Sequence, residues 1–223
     1  MSHETPDADS NAERRVFVRR KRDGLGVIRL AAGSITLAIS LYFIGHSLRF
    51  FSFDPSVLGK YFSFKWIIMG HVAGGALALL TGPFQLWAAF RNRYRRTHRV
   101  MGRVYVSATS VGALCALVLA TTTAPIVNWP YALSLHMLAS VWLASGLLAW
   151  RSAVQKRFKQ HEEWATRSYI ATVAFVAQAL SFELPFVVRL GTFAEIAGTL
   201  IWFSWTVPML VYDYLRLRQQ RAT

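Results

Sequence analysis

Charge is scarce in this chain, and so is cysteine. Only 16% of its 223 residues are Asp, Glu, Lys or Arg, where a soluble domain carries about 25%. Acids fill just 11 of those positions. This composition excludes an ordinary water-soluble enzyme. The one cysteine, Cys115, lies in an apolar run and reads as a small packing residue. A single thiol excludes an intrachain disulfide, a cysteine-based zinc cluster and a C-x-x-C-H haem attachment site. The sequence also lacks a Walker loop, a G-x-S-x-G elbow, a GxGxxG run after a strand and any DNA-binding signature. Its apolar runs do not alternate with polar residues, so strands and a membrane barrel have no foothold.

Long uncharged runs are abundant. Hydrophobic residues make up 54% of the chain, and its mean hydropathy is +0.32. A helix needs about 20 mostly apolar residues to cross a bilayer. Arg29 and Arg49 bracket 19 uncharged residues, Lys65 and Arg91 bracket 25, and Arg103 and Arg151 bracket 47. The last run is two spans, broken between Thr121-Thr122-Thr123-Ala124-Pro125 and Asn128-Trp129-Pro130, a turn signal. A fifth span runs from Ser168 to Val188, interrupted by Glu183, the one acid deep in a span, and a sixth from Ile196 to Tyr212. The expected fold is an all-α integral membrane protein with six transmembrane helices, helices 2–5 forming a four-helix core. Residues 1–24 read as a disordered cytoplasmic tail, 25–217 as the membrane domain and 218–223 as a second cytoplasmic tail. No cleavable signal peptide is expected, since the first apolar run is long enough to span.

The net charge of +14 follows from topology. Of 25 basic residues, 21 fall on one side of this arrangement: before helix 1, between helices 2 and 3, between helices 4 and 5, and after helix 6. Arg49, Lys60, Lys65 and Arg189 are the four on the other. Lys and Arg concentrate in cytoplasmic loops, so both termini are expected in the cytoplasm of a bacterium, with the chain in its inner membrane. Basic clusters at helix ends need no nucleic acid to explain them. Trp87, Trp129, Tyr131 and Trp150 suit interfacial belts.

Histidines are the residues that invite a chemical reading. His3 lies in the tail and His46, on helix 1, reads as packing. His71 and His136 sit near the outer ends of helices 2 and 4, and His98 and His161 at the inner ends of helices 3 and 5. Ionisable groups inside spans point to function by default. In an up-down bundle, helices 2 and 4, or 3 and 5, are diagonal neighbours roughly 11–14 Å apart. Two imidazoles reaching across that diagonal leave a gap that an iron atom fills, with bonds of about 2 Å by analogy with other metal–imidazole sites. Bundles build cofactor sites from facing helices, and histidine is a standard axial haem ligand. Gly70, Gly74 and Gly75 beside His71, and Ala139 and Ser140 below His136, would admit a flat macrocycle, or would pack helices closely. Arg95, Arg99, Arg103 and Arg167 could hold propionates, or lipid headgroups. His98 and His161 are each followed, after four or five residues, by Arg-x-Tyr, which makes random scatter of the histidines less natural.

The runs Gly70-His71-Val72-Ala73-Gly74-Gly75, Gly82-Pro83-Phe84-Gln85 and His98-Arg99-Val100-Met101-Gly102-Arg103-Val104-Tyr105 resemble a bacterial family of membrane proteins known as domain of unknown function 2306. His161-x-x-Trp164-x-x-Arg167-Ser168-Tyr169 fits the same family, over about residues 66–185. That resemblance implies no activity. The placement of the four histidines is similar, more distantly, to the six-helix cytochrome b561 family. That likeness implies two b haems, one on His71 and His136 and one on His98 and His161, passing electrons across the membrane from a quinol or small reductant.

Two readings stand side by side. One is a diheme membrane oxidoreductase, with haem near Arg99, Arg103 and Arg167, the lipid bilayer as its medium and self-association as a homodimer. The other is a haem-free small transporter or quinone- or lipid-binding protein, its histidines serving as interhelical contacts or proton relays. The charge pattern makes a prediction of its own. A reporter fused after Thr223 is expected to behave as cytoplasmic and one inserted near Pro125 as periplasmic, and a cytoplasmic signal at Pro125 would overturn the topology.

Overall fold

The structure is a computed structural model and describes residues 33–221. The tail read over residues 1–24, with His3, and the end of the second tail lie outside the described residues. Every regular element among the described residues is helical. The long helices are α1, described over Gly33–Phe51, α2 over Lys65–Leu86, α3 over Arg95–Thr122, α4 over Trp129–Val154, α5 over Phe158–Ser181 and α6 over Phe193–Arg221. By contacts the chain falls into two units, Met1–Leu41 and Tyr42–Thr223, with the boundary inside α1. The described residues of the first unit are helical, and Ser40 Oγ donates to the Thr36 carbonyl. The helices from α2 to α6 all belong to the second.

Local chemistry sets the helix ends. Asp54 caps the short turn Pro55–Leu58 before α2: its carboxylate accepts from the Ser56 amide at 2.8 Å, with Pro55 at the first position. That bond and a second from the Ser56 hydroxyl hold the Asp54 carboxyl below its usual range. The turn signal between helices 3 and 4 is where the sequence put it. Asn128 caps α4 by accepting from the Tyr131 amide at 2.8 Å, and its own amide donates to the Ala194 carbonyl at the start of α6.

Other boundaries depart from the sequence reading. The uncharged run through Phe90 is cut after Leu86, and Ala88–Arg93 form a separate short helix. The basic stretch before span 3 is not a loop, since α3 begins at Arg95 and takes in His98 within its first turn. Span 5 does not run from Ser168 to Val188. The helix starts at Phe158, includes His161, and stops at Ser181. Glu183 therefore sits exposed in the turn beyond α5 and not deep in a span. At the other end, α6 continues as helix through Arg221, into the segment read as a tail.

Among the described residues, five helices are long and apolar enough to cross a bilayer: α1, α2 with its lead-in from Pro55, α3, α4 and α6. The sixth, α5, has 24 residues, about 36 Å of helix. Lys159, His161, Glu162, Glu163 and Arg167 in its first turns lower its hydropathy. Exposed tryptophans mark the expected bilayer thickness. Trp66 and Trp87 flank α2, and Trp129 and Trp150 flank α4, all four well exposed. Each pair is 21 positions apart, or about 31 Å of helix, against a hydrocarbon core of about 30 Å.

Large side chains face out and small ones face in. On α3, Val100, Val104, Val111, Leu114 and Val118 are exposed along one stripe, while Ala108, Gly112, Ala113, Ala116 and Ala120 are buried. Lipid offers no hydrophobic drive between helices, so close packing takes its place. In the second unit α2 packs on α3, α3 on α4, α4 on α5, and α5 back on α2, with α6 against α4 and α5. The tightest crossing joins α2 to α3. A Cβ on Gly74 would lie 2.6 Å from the Ala108 carbonyl oxygen and 2.8 Å from the Gly112 nitrogen, both backbone atoms that cannot step aside. A Cβ on Gly75, next in sequence, would meet nothing within 4 Å. Gly74→Val is therefore expected to destabilise the protein by about 1–3 kcal/mol through overpacking, while Gly75→Ala stays near neutral. Reversible unfolding in mixed micelles measures both, and equal effects would contradict the crossing.

Candidate functional site

Each of the four expected histidines has a defined setting. His71 projects from α2 between α3, α4 and α5. Its Nδ1 lies 3.0 Å from the Gly112 carbonyl, and its ring meets Trp142 and Phe175 edge-on, with centroids 6.2 and 5.4 Å away. A carbonyl only accepts, so Nδ1 carries the proton and Nε2 keeps a lone pair. That nitrogen has no hydrogen-bond partner among the described residues. His136 behaves differently. Its Nδ1 bonds the Ala132 carbonyl one turn back on α4 (2.8 Å), and its Nε2 meets Thr121 Oγ1 on α3 (3.0 Å). Both nitrogens are engaged.

The structure does not bring His71 and His136 together. Their anchor points on α3, Gly112 and Thr121, are nine positions apart, or about 13 Å along the helix. One iron atom bound by both would need nitrogens about 4 Å apart. The place beside His71 is taken by Trp142, which is 1% exposed. An outer haem on this pair does not fit. The glycines near His71 mostly serve close packing: Gly70 rests on Cys115 Sγ and Gly74 on α3, while Gly75 alone faces open space.

His98 and His161 are brought together. Their ring centroids are 6.5 Å apart with planes at 77°, across the diagonal between α3 and α5. His161 Nδ1 donates to the Ala149 carbonyl at the end of α4 (2.9 Å), which leaves its Nε2 with a free lone pair. Gln85, at the end of α2, reaches His98. With its amide turned to satisfy its neighbours, it donates to His98 Nδ1 (3.1 Å) and to the His98 carbonyl (3.3 Å), and accepts from the Gly102 amide (3.3 Å). In that orientation the His98 proton sits on Nε2. With the amide reversed, the oxygen of Gln85 would face Nδ1 and free Nε2 as a ligand. Gln85 thus sets the tautomer of His98, as the hydrogen-bond partners behind metal-bound histidines do.

The arginines expected near a cofactor divide. Arg99 and Arg103 are exposed, and neither has a partner among the described residues. Arg167 is half-buried against α6: it pairs with Asp213 and lies over Trp164 and Tyr212, at 5.0 and 5.5 Å from the ring centroids. It is committed to holding α5 on α6. Arg216 pairs with Glu163 at 2.7 Å, and Arg91 approaches Glu162 at 3.8 Å. His46 is exposed and stacks near Tyr42.

Between the two histidine levels lies a buried polar network that sequence reasoning missed. Thr172 Oγ1 donates to the Ser168 carbonyl (2.9 Å). It accepts from Trp142 Nε1 (2.8 Å) and pairs with the Tyr105 hydroxyl (3.2 Å). Tyr105 is also 3.0 Å from Ser168 Oγ. The proton count closes when Tyr105 donates to Thr172 and accepts from Ser168. The Tyr169 hydroxyl differs: it is buried without a hydrogen-bond partner among the described residues, its ring laid on Gly82. The repeated Arg-x-Tyr pointed to Tyr105 and Tyr169, though nothing in it distinguished the satisfied hydroxyl from the orphan.

Neither known curated proteins nor solved structures match the chain. A family model described as "Predicted membrane protein (DUF2306)" matches residues 68–216, about two thirds of the chain, reaching from α2 into α6. The chain belongs to that family of predicted membrane proteins.

Proposed function

We propose that this protein is a six-span electron-transfer protein of the bilayer that holds one b-type haem between His98 and His161. The observation that carries the reading is the 6.5 Å between the two imidazole centres on diagonal helices. An iron at about 2 Å from one nitrogen of each ring sets the ring centres roughly 6 Å apart. His161 suits the role, since it is fixed through Nδ1 with Nε2 bare, and His98 would join it as a ligand once the Gln85 amide turns its oxygen to Nδ1. The partnerless Tyr169 hydroxyl, two turns beyond His161 on α5, is a polar group in want of an occupant. A haem held there would supply one-electron transfer, with a quinol or small reductant as donor.

The packing supports the finer topology. Only three residues separate α4 from α5, so the two run antiparallel side by side. Since α5 packs on α2, α4 and α6, it crosses the bilayer with them as a sixth span. The helices α2 to α5 then form the core, both termini lie in the cytoplasm, and the excess arginines face inner-membrane headgroups.

A haem-free membrane protein is the second reading, favoured by the hydrogen bonds that already occupy both nitrogens of His136 and by the Gln85 amide donating to His98. Absorption spectra with pyridine-haemochrome quantitation separate the two. Protein purified from haem-replete cells is expected to carry one low-spin haem b per chain. His98→Ala and His161→Ala should each abolish it, and His136→Ala should leave it in place. A well-folded sample with no Soret band decides for the haem-free reading.

A further inference from the structure

A cavity of about 260 Å³ lies beside His71, walled by α1, α2, α4 and α5, with all its lining residues in the second unit. Phe43, Phe50, Tyr61, Trp142 and Phe175 give it aromatic walls. Several polar groups on the walls are already committed: Ser47 Oγ donates to the Phe43 carbonyl, and Trp142 Nε1 and Thr172 Oγ1 bond each other. Three remain without a hydrogen-bond partner among the described residues: His71 Nε2, the Tyr61 hydroxyl and the Gln178 amide. The Gly112 carbonyl fixes the His71 tautomer, so Nε2 can only accept.

We propose that this cavity binds a lipid-soluble hydroquinone, with one ring hydroxyl donating to His71 Nε2. Size selects a single ring. A cavity of about 150 Å³ holds benzene, so this one takes one ring with small substituents and excludes a macrocycle. Polarity selects the hydroxyls. An acyl chain would leave the imidazole lone pair without a donor, which is costly away from water. Tyr61 and Gln178 offer partners for the second ring oxygen, and the aromatic walls suit the faces of the ring.

The test uses purified full-length protein in micelles under anaerobic conditions, with trimethylhydroquinone and its dimethyl ether as probes. The ether keeps the shape and loses both donors. Wild-type protein is expected to bind the hydroquinone about tenfold more tightly than the ether, the worth of one well-made hydrogen bond. In His71→Phe that preference should fall to parity. In Gly75→Leu, whose new side chain enters open space at the cavity wall, both probes should bind at least tenfold more weakly. Equal binding of the two probes by wild type, no binding of either, or a preference retained in His71→Phe would each overturn the proposal. Haem content measured on the same samples keeps the outcomes apart. Hydroquinone binding without haem removes the cytochrome reading alone, and haem without hydroquinone binding removes this inference alone.

Discussion

The close approach of α2 to α3 at Gly74 and Gly112 organises much of the second unit. Gly112 does three things at once. Its backbone lies against Gly74 of α2, its missing side chain makes room for the Trp142 ring of α4, and its carbonyl accepts from His71. Trp142, seated there, reaches Thr172 on α5 with its indole N–H. Four helices are therefore registered through one residue that lacks a side chain. In lipid this arrangement suits the physics, because helices associate by dispersion contacts and hydrogen bonds and gain little by hiding apolar surface from one another.

Hydrogen bonds then divide the interior into finished and unfinished parts. The Tyr105, Ser168, Thr172 and Trp142 network satisfies every donor it contains, and a complete buried network rigidifies the helices it joins. On either side of it the count fails to close, at His71 Nε2 toward one end and at Tyr169 and the His98–His161 pair toward the other. Among the described residues, the ion pairs lie at the second of those ends. Glu162, Glu163 and Asp213 tie Arg91, Arg216 and Arg167 there, so three of the few acids fasten the start of α5 to the end of α6 and to the segment before α3.

Much of this was legible in the sequence. Uncharged runs gave five long apolar helices, Asn128 and the threonine-proline stretch gave the turn between α3 and α4, and a shared position at the inner helix ends matched His98 with His161. Helix ends near charged residues were harder to read. Apolar-run logic ends a helix where charge begins, yet α3 and α5 carry their helical hydrogen bonds through Arg95 to Arg103 and Lys159 to Arg167. At a bilayer boundary long cationic side chains reach the headgroups without breaking the helix.

The outer histidines show what depth alone cannot decide. His71 and His136 were matched by distance from a helix end, with no account of which way each side chain turns. At about 100° per residue, His136 lies about 120° around α4 from Trp142 and about 160° from Leu138, the two large residues buried most completely on that helix. Its ring turns away from those two and toward Thr121 on α3. By the same count His71 lies within about 60° of Gly74 and about 20° of Ala78, both buried, and so it faces inward. Phase alone does not separate them, since His136 also lies about 40° from Ala132 and about 60° from Ala139, both buried; the partners of each ring do, even though both sit at a similar depth. One imidazole is used up in holding two helices together. The other is held by one nitrogen and offers the second to whatever enters beside it.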